Sequence, residues 1–128
     1  MQILFDPNLV SYTALVDFFF RTHDPTTKDR QGYDAGTQYR SAIFAHGEEQ
    51  LAIAQKAKAE VQEKWKFTHP GSTGKVSTEV ALAGDWFDAE DYHQEYLDKN
   101  PGGYECAMHV VRDKLPLLEG VERQPWQK

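Results

Sequence analysis

The sequence predicts an α+β domain of two layers. Three observations point there. Apolar side chains recur at helical spacing over about Tyr12–Thr22 and again over Glu48–Trp65. Val76, Thr78, Val80 and Leu82 alternate with Ser77, Glu79 and Ala81, the period of a half-buried strand. Strands and helices then follow in the order strand, helix, long loop, strand, helix, strand, helix. At 128 residues the chain is one domain, long enough to bury a single core.

Gln2-Ile3-Leu4-Phe5 reads as a strand opened by Met1 and stopped by Asp6-Pro7-Asn8. A chain opening inside a strand leaves a sheet edge uncovered, so an exposed apolar face and reduced solubility are expected. Ser11 is placed to cap the first helix. Its stripe is Leu15, Phe18 and Phe19, widened by Val16 and Phe20, and Pro25 ends it by forcing Asp24 out of helical geometry. His23, at the C-terminal end, suits the helix dipole when protonated. Residues 26–39 are a connection longer than usual, and such loops commonly carry function. Arg40–Ala45 reads as a short central strand. In the second helix Leu51, Ala54, Val61 and Trp65 share a stripe, while Lys56, Glu60, Glu63 and Lys64 form a solvated face with Glu60 and Lys64 correctly ordered for an i, i+4 pair. Asp88 is the expected cap of a last helix over Ala89–Leu97, closed by Asn100-Pro101-Gly102-Gly103. Periodicity fades after Val111. Residues 1–112 are therefore expected to be the domain proper, and 113–128 a C-terminal extension.

Composition excludes several classes of function. A net charge of −6 with scattered Lys and Arg argues against a nucleic-acid surface. No apolar run approaches the ~20 residues of a membrane span, and no signal peptide is visible. A single cysteine rules out a disulfide framework and fits a reducing compartment, here the cytoplasm. The histidines at 23, 46, 69, 93 and 109 lack the close helical spacing of a zinc site, so no metal and no cofactor are expected.

The richest stretch is Arg30–Ser41, RQGYDAGTQYRS. Gly32 and Gly36 allow positive φ or close approach, and Asp34 and Tyr39 bring a carboxylate and a phenol into one loop. This stretch resembles the signature of the A-type peptide-methionine (S)-S-oxide reductases. Arg21-Thr22-His23-Asp24-Pro25-Thr26 upstream, and Ala89-Glu90-Asp91-Tyr92-His93-Gln94 and Asn100-Pro101-Gly102-Gly103-Tyr104 downstream, follow in the family's order. The resemblance covers roughly residues 1 to 110. It implies a ferredoxin-like two-layer α/β sandwich, oxidised methionine as substrate and thioredoxin as reductant.

Sulfoxide reduction needs an attacking thiolate, a proton for the departing oxygen and a means of resolving the sulfenic acid. By the resemblance, Asp34 sets the nucleophile's environment and Tyr39 holds the sulfoxide oxygen through its hydroxyl. Tyr92 and His93 match a motif assigned to substrate binding. Cys106 matches the resolving thiol that some members carry after the Asn-Pro-Gly turn; a lone cysteine is otherwise a small apolar residue. The family's nucleophile lies in a Gly-Cys-Phe-Trp motif near the N-terminus, and its main acid is a glutamate just ahead of the stretch matching Met1–Phe5. Neither occurs in this sequence. The resemblance thus implies an N-terminally truncated relative, inactive alone. The alternative is a non-catalytic binding or regulatory module that recruits a partner to its exposed sheet edge.

Overall fold

The computed structural model describes residues 1–108 and 110–123. Ser11 caps the first helix, α1 (Tyr12–Arg21), by accepting from the Ala14 amide. A two-residue strand β1 (Arg30–Gln31) turns back on β2 (Asp34–Ala35) as an antiparallel hairpin. A 3-10 turn over Thr37–Tyr39 leads into β3 (Ala42–Ala45). The long helix α2 (Glu48–Lys64) crosses back to β4 (Glu79–Leu82), which runs parallel to β3 with Ala42 opposite Glu79 and Ala45 opposite Leu82. A 3-10 turn over Asp91–His93 and one helical turn, α3 (Tyr96–Lys99), precede the C-terminal stretch. The fold is α+β, as expected: α1 and α2 pack on each other, and α2 also covers β3 and β4.

The core is Val16 and Phe20 of α1, Ala57 and Val61 of α2, Trp65, Val76 and Leu118. On α2 Ala54, Val61 and Trp65 of the expected stripe are buried and Leu51 is partly covered, while Glu60, paired to Lys64, is itself mostly covered instead of solvated. On α1 the buried stripe is not the expected one. Val16, Asp17, Phe20 and Arg21 are buried, whereas Phe18 is exposed and Leu15 and Phe19 only partly covered. The cause is the C-terminal stretch. Arg112–Leu118 lies along α1, and the buried Arg21 guanidinium donates to the carbonyls of Arg112, Leu115 and Pro116 as well as to both oxygens of Asp17. Asp17 Oδ1 also accepts from the Leu118 amide at 3.1 Å. Trp65 completes the clamp: its indole donates to Pro116 O, and its ring lies 5.0 Å beneath the guanidinium. The described part of the expected extension is thus packed into the core; residues 124–128, like His109, lie outside the described residues.

Other expectations are corrected. Met1–Phe5 forms no strand, and Met1, Ile3 and Leu4 stand exposed. A strand needs a neighbour to take its amides, and among the described residues none lies beside it. The ladder of β3 begins at Ala42, not Arg40, and that of β4 at Glu79, not Val76. The earlier groups are engaged elsewhere: the Val76 amide donates to Gln62 Oε1, the Ser77 amide to Pro25 O, and the Ser41 and Thr78 hydroxyls bond each other. β3 and β4 make a two-stranded sheet with Phe44 and Leu82 exposed, so β3 is not central. The helix expected over Ala89–Leu97 is broken by Glu95 at φ +52°, and Asp88 accepts from the Trp86 indole instead of capping. Its aromatic residues Tyr92 and Tyr96 find no core to cover, and so short a helix does not hold without one.

Two substitutions test the clamp. Asp17→Ala strands a buried cation and one amide, and is expected to cost about 3–5 kcal/mol in urea unfolding. Leu118→Ala is expected to cost about 2–5 kcal/mol if the C-terminal stretch belongs to the core; a cost near that of a surface substitution would separate the stretch from it.

Candidate functional site

Two motifs are joined by side-chain bonds at the end of α1. His23 is buried, with Nδ1 2.8 Å from Phe19 O and Nε2 2.7 Å from Ser41 Oγ. A carbonyl only accepts, so Nδ1 carries the hydrogen and donates. Ser41 Oγ continues the chain to Thr78 Oγ1 at 2.8 Å. His23 therefore ties α1 to the start of both β3 and β4. Next to it, Asp24 is fixed from three directions. Gln31 grips its main chain, accepting from Asp24 N and donating to Asp24 O, each at 3.1 Å. Asp24 Oδ1 accepts from the amide and the hydroxyl of Thr26. Oδ2 lies 2.6 Å from His69 Nε2 in an approach not aligned for a hydrogen bond, and among the described residues it has no hydrogen-bond partner. His23 and Asp24 thus hold the scaffold beneath the loop.

The loop itself is held by Gln31 below and closed by the Gly36 amide donating to Asp29 O at 2.8 Å. Gly32 sits at φ +58°, and a Cβ there would come within 2.8 Å of Met108 Cγ. The glycine thus serves both uses the sequence allows, a left-handed turn and a close approach. Gly36, at φ +135°, feeds the turn that carries Tyr39. Arg40 steadies that turn from behind, bonded to Thr37 O and paired with Glu79.

Asp34 is half-buried, and its Oδ2 accepts from the Tyr104 hydroxyl at 3.1 Å. Holding that hydrogen bond to a carboxylate, with some loss of water and the charges of Asp34 and Cys106 nearby, raises the Tyr104 phenol above the ordinary tyrosine value. Cys106 is half-buried, with Sγ 3.7 Å from Gln31 O. Asp34 and Cys106 therefore meet at one hairpin. Tyr39 follows on the adjacent 3-10 turn, its ring near Gly36 and open to solvent. Tyr92 and His93 do not join this cluster: their rings pack on each other, and His93 lies 3.9 Å from Glu90. A surface hollow of about 340 Å³ is lined by Gln55, Lys58, Ala59, Gln62 and Val80, none of them in the loop. Among the described residues no group of His, Cys, Asp and Glu could hold a metal, and no helix is long and apolar enough to cross a membrane. Gln31 and Tyr104 were not singled out from the sequence. Their only signal there is position, inside one motif and at the end of another.

The profile of the peptide methionine sulfoxide reductase family matches residues 1–123. The probable peptide methionine sulfoxide reductase of Schizosaccharomyces pombe is 51% identical over 112 residues, covering 88% of this chain and 63% of that protein. The peptide methionine sulfoxide reductase of Saccharomyces cerevisiae is 45% identical over 113 residues, covering 88% of this chain and 58% of that protein. Among solved structures, reduced Mxr1 from Saccharomyces cerevisiae superposes with a TM-score of 0.75 at 46% identity, covering 84% of this chain and 56% of that one. Methionine sulfoxide reductase A of Corynebacterium diphtheriae does so with a TM-score of 0.62 at 37% identity, covering 84% and 53%. The chain spans about three-fifths of the length of the curated relatives it matches. With a family match running over residues 1–123, relatives 45–51% identical over most of the chain and a solved relative superposing at a TM-score of 0.75, the chain belongs to the peptide methionine sulfoxide reductase family.

Proposed function

We propose that this chain carries the oxygen-handling and thiol-resolving part of a peptide-methionine (S)-S-oxide reductase, a protein-repair enzyme of the response to oxidative stress. In the complete reaction a cysteine thiolate attacks the sulfoxide sulfur and the oxygen is transferred, giving methionine and a cysteine sulfenic acid. Tyr39 donates its hydroxyl hydrogen to the sulfoxide oxygen as charge develops there. Asp34 orients the groups around the attacking thiol. Cys106 then attacks the sulfenic sulfur, releasing water and forming a disulfide. Thioredoxin, oxidised in turn, reduces that disulfide back to two thiols. Tyr92 and His93 contribute, in this scheme, to the substrate-facing surface. A cytoplasmic setting, where thioredoxin keeps thiols reduced, is consistent with the single cysteine.

The observation that carries this proposal is the meeting of Asp34 with the Cys106-bearing segment, from opposite ends of the chain, at one hairpin. The sequence holds no second cysteine to act as nucleophile. We therefore expect the isolated chain to be inactive towards methionine (S)-sulfoxide with dithiothreitol, followed by chromatography of the methionine formed. Stereospecific turnover at the rate of a full-length relative would overturn that expectation.

Fusing the family's Gly-Cys-Phe-Trp segment ahead of Met1 is expected to restore turnover. In that fusion Tyr39→Phe should lower kcat about 100-fold. Cys106→Ser should keep dithiothreitol-driven turnover while losing at least about tenfold of the thioredoxin-driven rate. Equal loss with both reductants would remove Cys106 from the resolving role.

A further inference from the structure

The stretch from Gly84 to Met108 lies outside the core, and most of its side chains are exposed. Its internal bonds are local: Lys99 Nζ to Asp91 O and Gln94 O, Asn100 Nδ2 to Tyr96 O, and Gly103 N to Asn100 O. Among the described residues, only two hydrogen bonds join it to the body of the protein, Tyr104 Oη to Asp34 Oδ2 at 3.1 Å and Cys106 Sγ to Gln31 O at 3.7 Å. The second is a weak thiol contact. Met108 packs against Gly32. The ring of Tyr104 is 64% exposed, so its hydroxyl rather than ring burial makes the attachment.

We propose that Tyr104 is a positioning residue whose hydroxyl, bonded to Asp34, latches the Cys106 segment onto the hairpin and keeps the thiol partly covered against the Gln31 carbonyl. Opening the latch frees the thiol to meet a reactant. The role of the thiol that is freed rests on the reductase proposal above; the latch itself does not.

Because Cys106 is the sole cysteine of the sequence, its alkylation reports the latch directly in the chain as it stands. The rate with iodoacetamide under native conditions, divided by the thiolate fraction, is expected to rise about fivefold in Tyr104→Phe, the equilibrium equivalent of one net hydrogen bond. Asp34→Ala should give the same rise, and the double variant no more than either alone. Tyr33→Phe, which alters a 99% exposed phenol on the same hairpin, should leave the rate unchanged.

The groups facing Tyr104 are Asp34 and Cys106, and they hold its phenol above 10.0. A raised value in the folded state means the latch is intact below the ordinary phenol range and is lost as pH climbs through the raised one. The wild-type rate per thiolate should therefore climb at alkaline pH as the phenol ionises, and Tyr104→Phe should lack that climb. This profile carries the test by itself if Asp34→Ala does not fold. An unchanged rate in Tyr104→Phe, or additive effects in the double variant, would overturn the latch. Failure of the reductase proposal would appear separately, as a fusion with no turnover and an intact alkylation pattern.

Discussion

Arg21 is fully buried, and each of its N–H groups is aimed at an oxygen: the two of Asp17 and the carbonyls of Arg112, Leu115 and Pro116. A buried guanidinium left short of partners would be costly, so its neighbours are constrained together or not at all. That constraint fixes the helix it sits on, the C-terminal strap that supplies the carbonyls, and Trp65, whose ring covers it. It also accounts for an apolar face of α1 different from the one helical spacing alone would choose. Asp17 and Arg21 occupy interior positions because the polar backbone of the strap must be satisfied there.

The same economy organises the loop above. His23 and Asp24 follow Arg21 in the chain, and each reaches a different part of the loop's frame. His23 joins the roots of β3 and β4 through Ser41 and Thr78; Asp24 takes the two-pronged grip of Gln31. The Arg-Thr-His-Asp-Pro-Thr motif is therefore the floor on which the Arg30–Ser41 motif rests. Arg21, His23, Asp24 and Thr26 of this motif are buried and bonded to the segments around them, which keeps Asp34 and Tyr39 on a fixed base while leaving both accessible.

Much of this was legible in the sequence, for definite reasons. α2 has a long stripe, an acidic first turn and a lysine in its last, so local signals and packing agree. Gly32 and Gly36 announce a backbone that only glycine tolerates, and both adopt positive φ. The Met1–Phe5 run and the Ala89–Leu97 periodicity misled because each depends on a partner surface that sequence spacing cannot see. The convergence of Asp34 with the segment of Cys106 was visible only as a resemblance. The bond that joins them runs through Tyr104, across a separation of seventy residues in the chain, and no local pattern encodes it.

Arg112 marks where the outlying stretch rejoins the body: its amide donates to Arg21 O at 3.1 Å, and its side chain to the carbonyl of His23 at 2.9 Å. Cys106 lies six positions before it. With Arg112 as a fixed pivot, a fully extended tether that long lets the sulfur sweep an arc of about 20 Å and no farther. Whatever sulfur it joins must enter that radius, so the geometry of any disulfide it forms is bounded by a leash whose far end is nailed to the first helix.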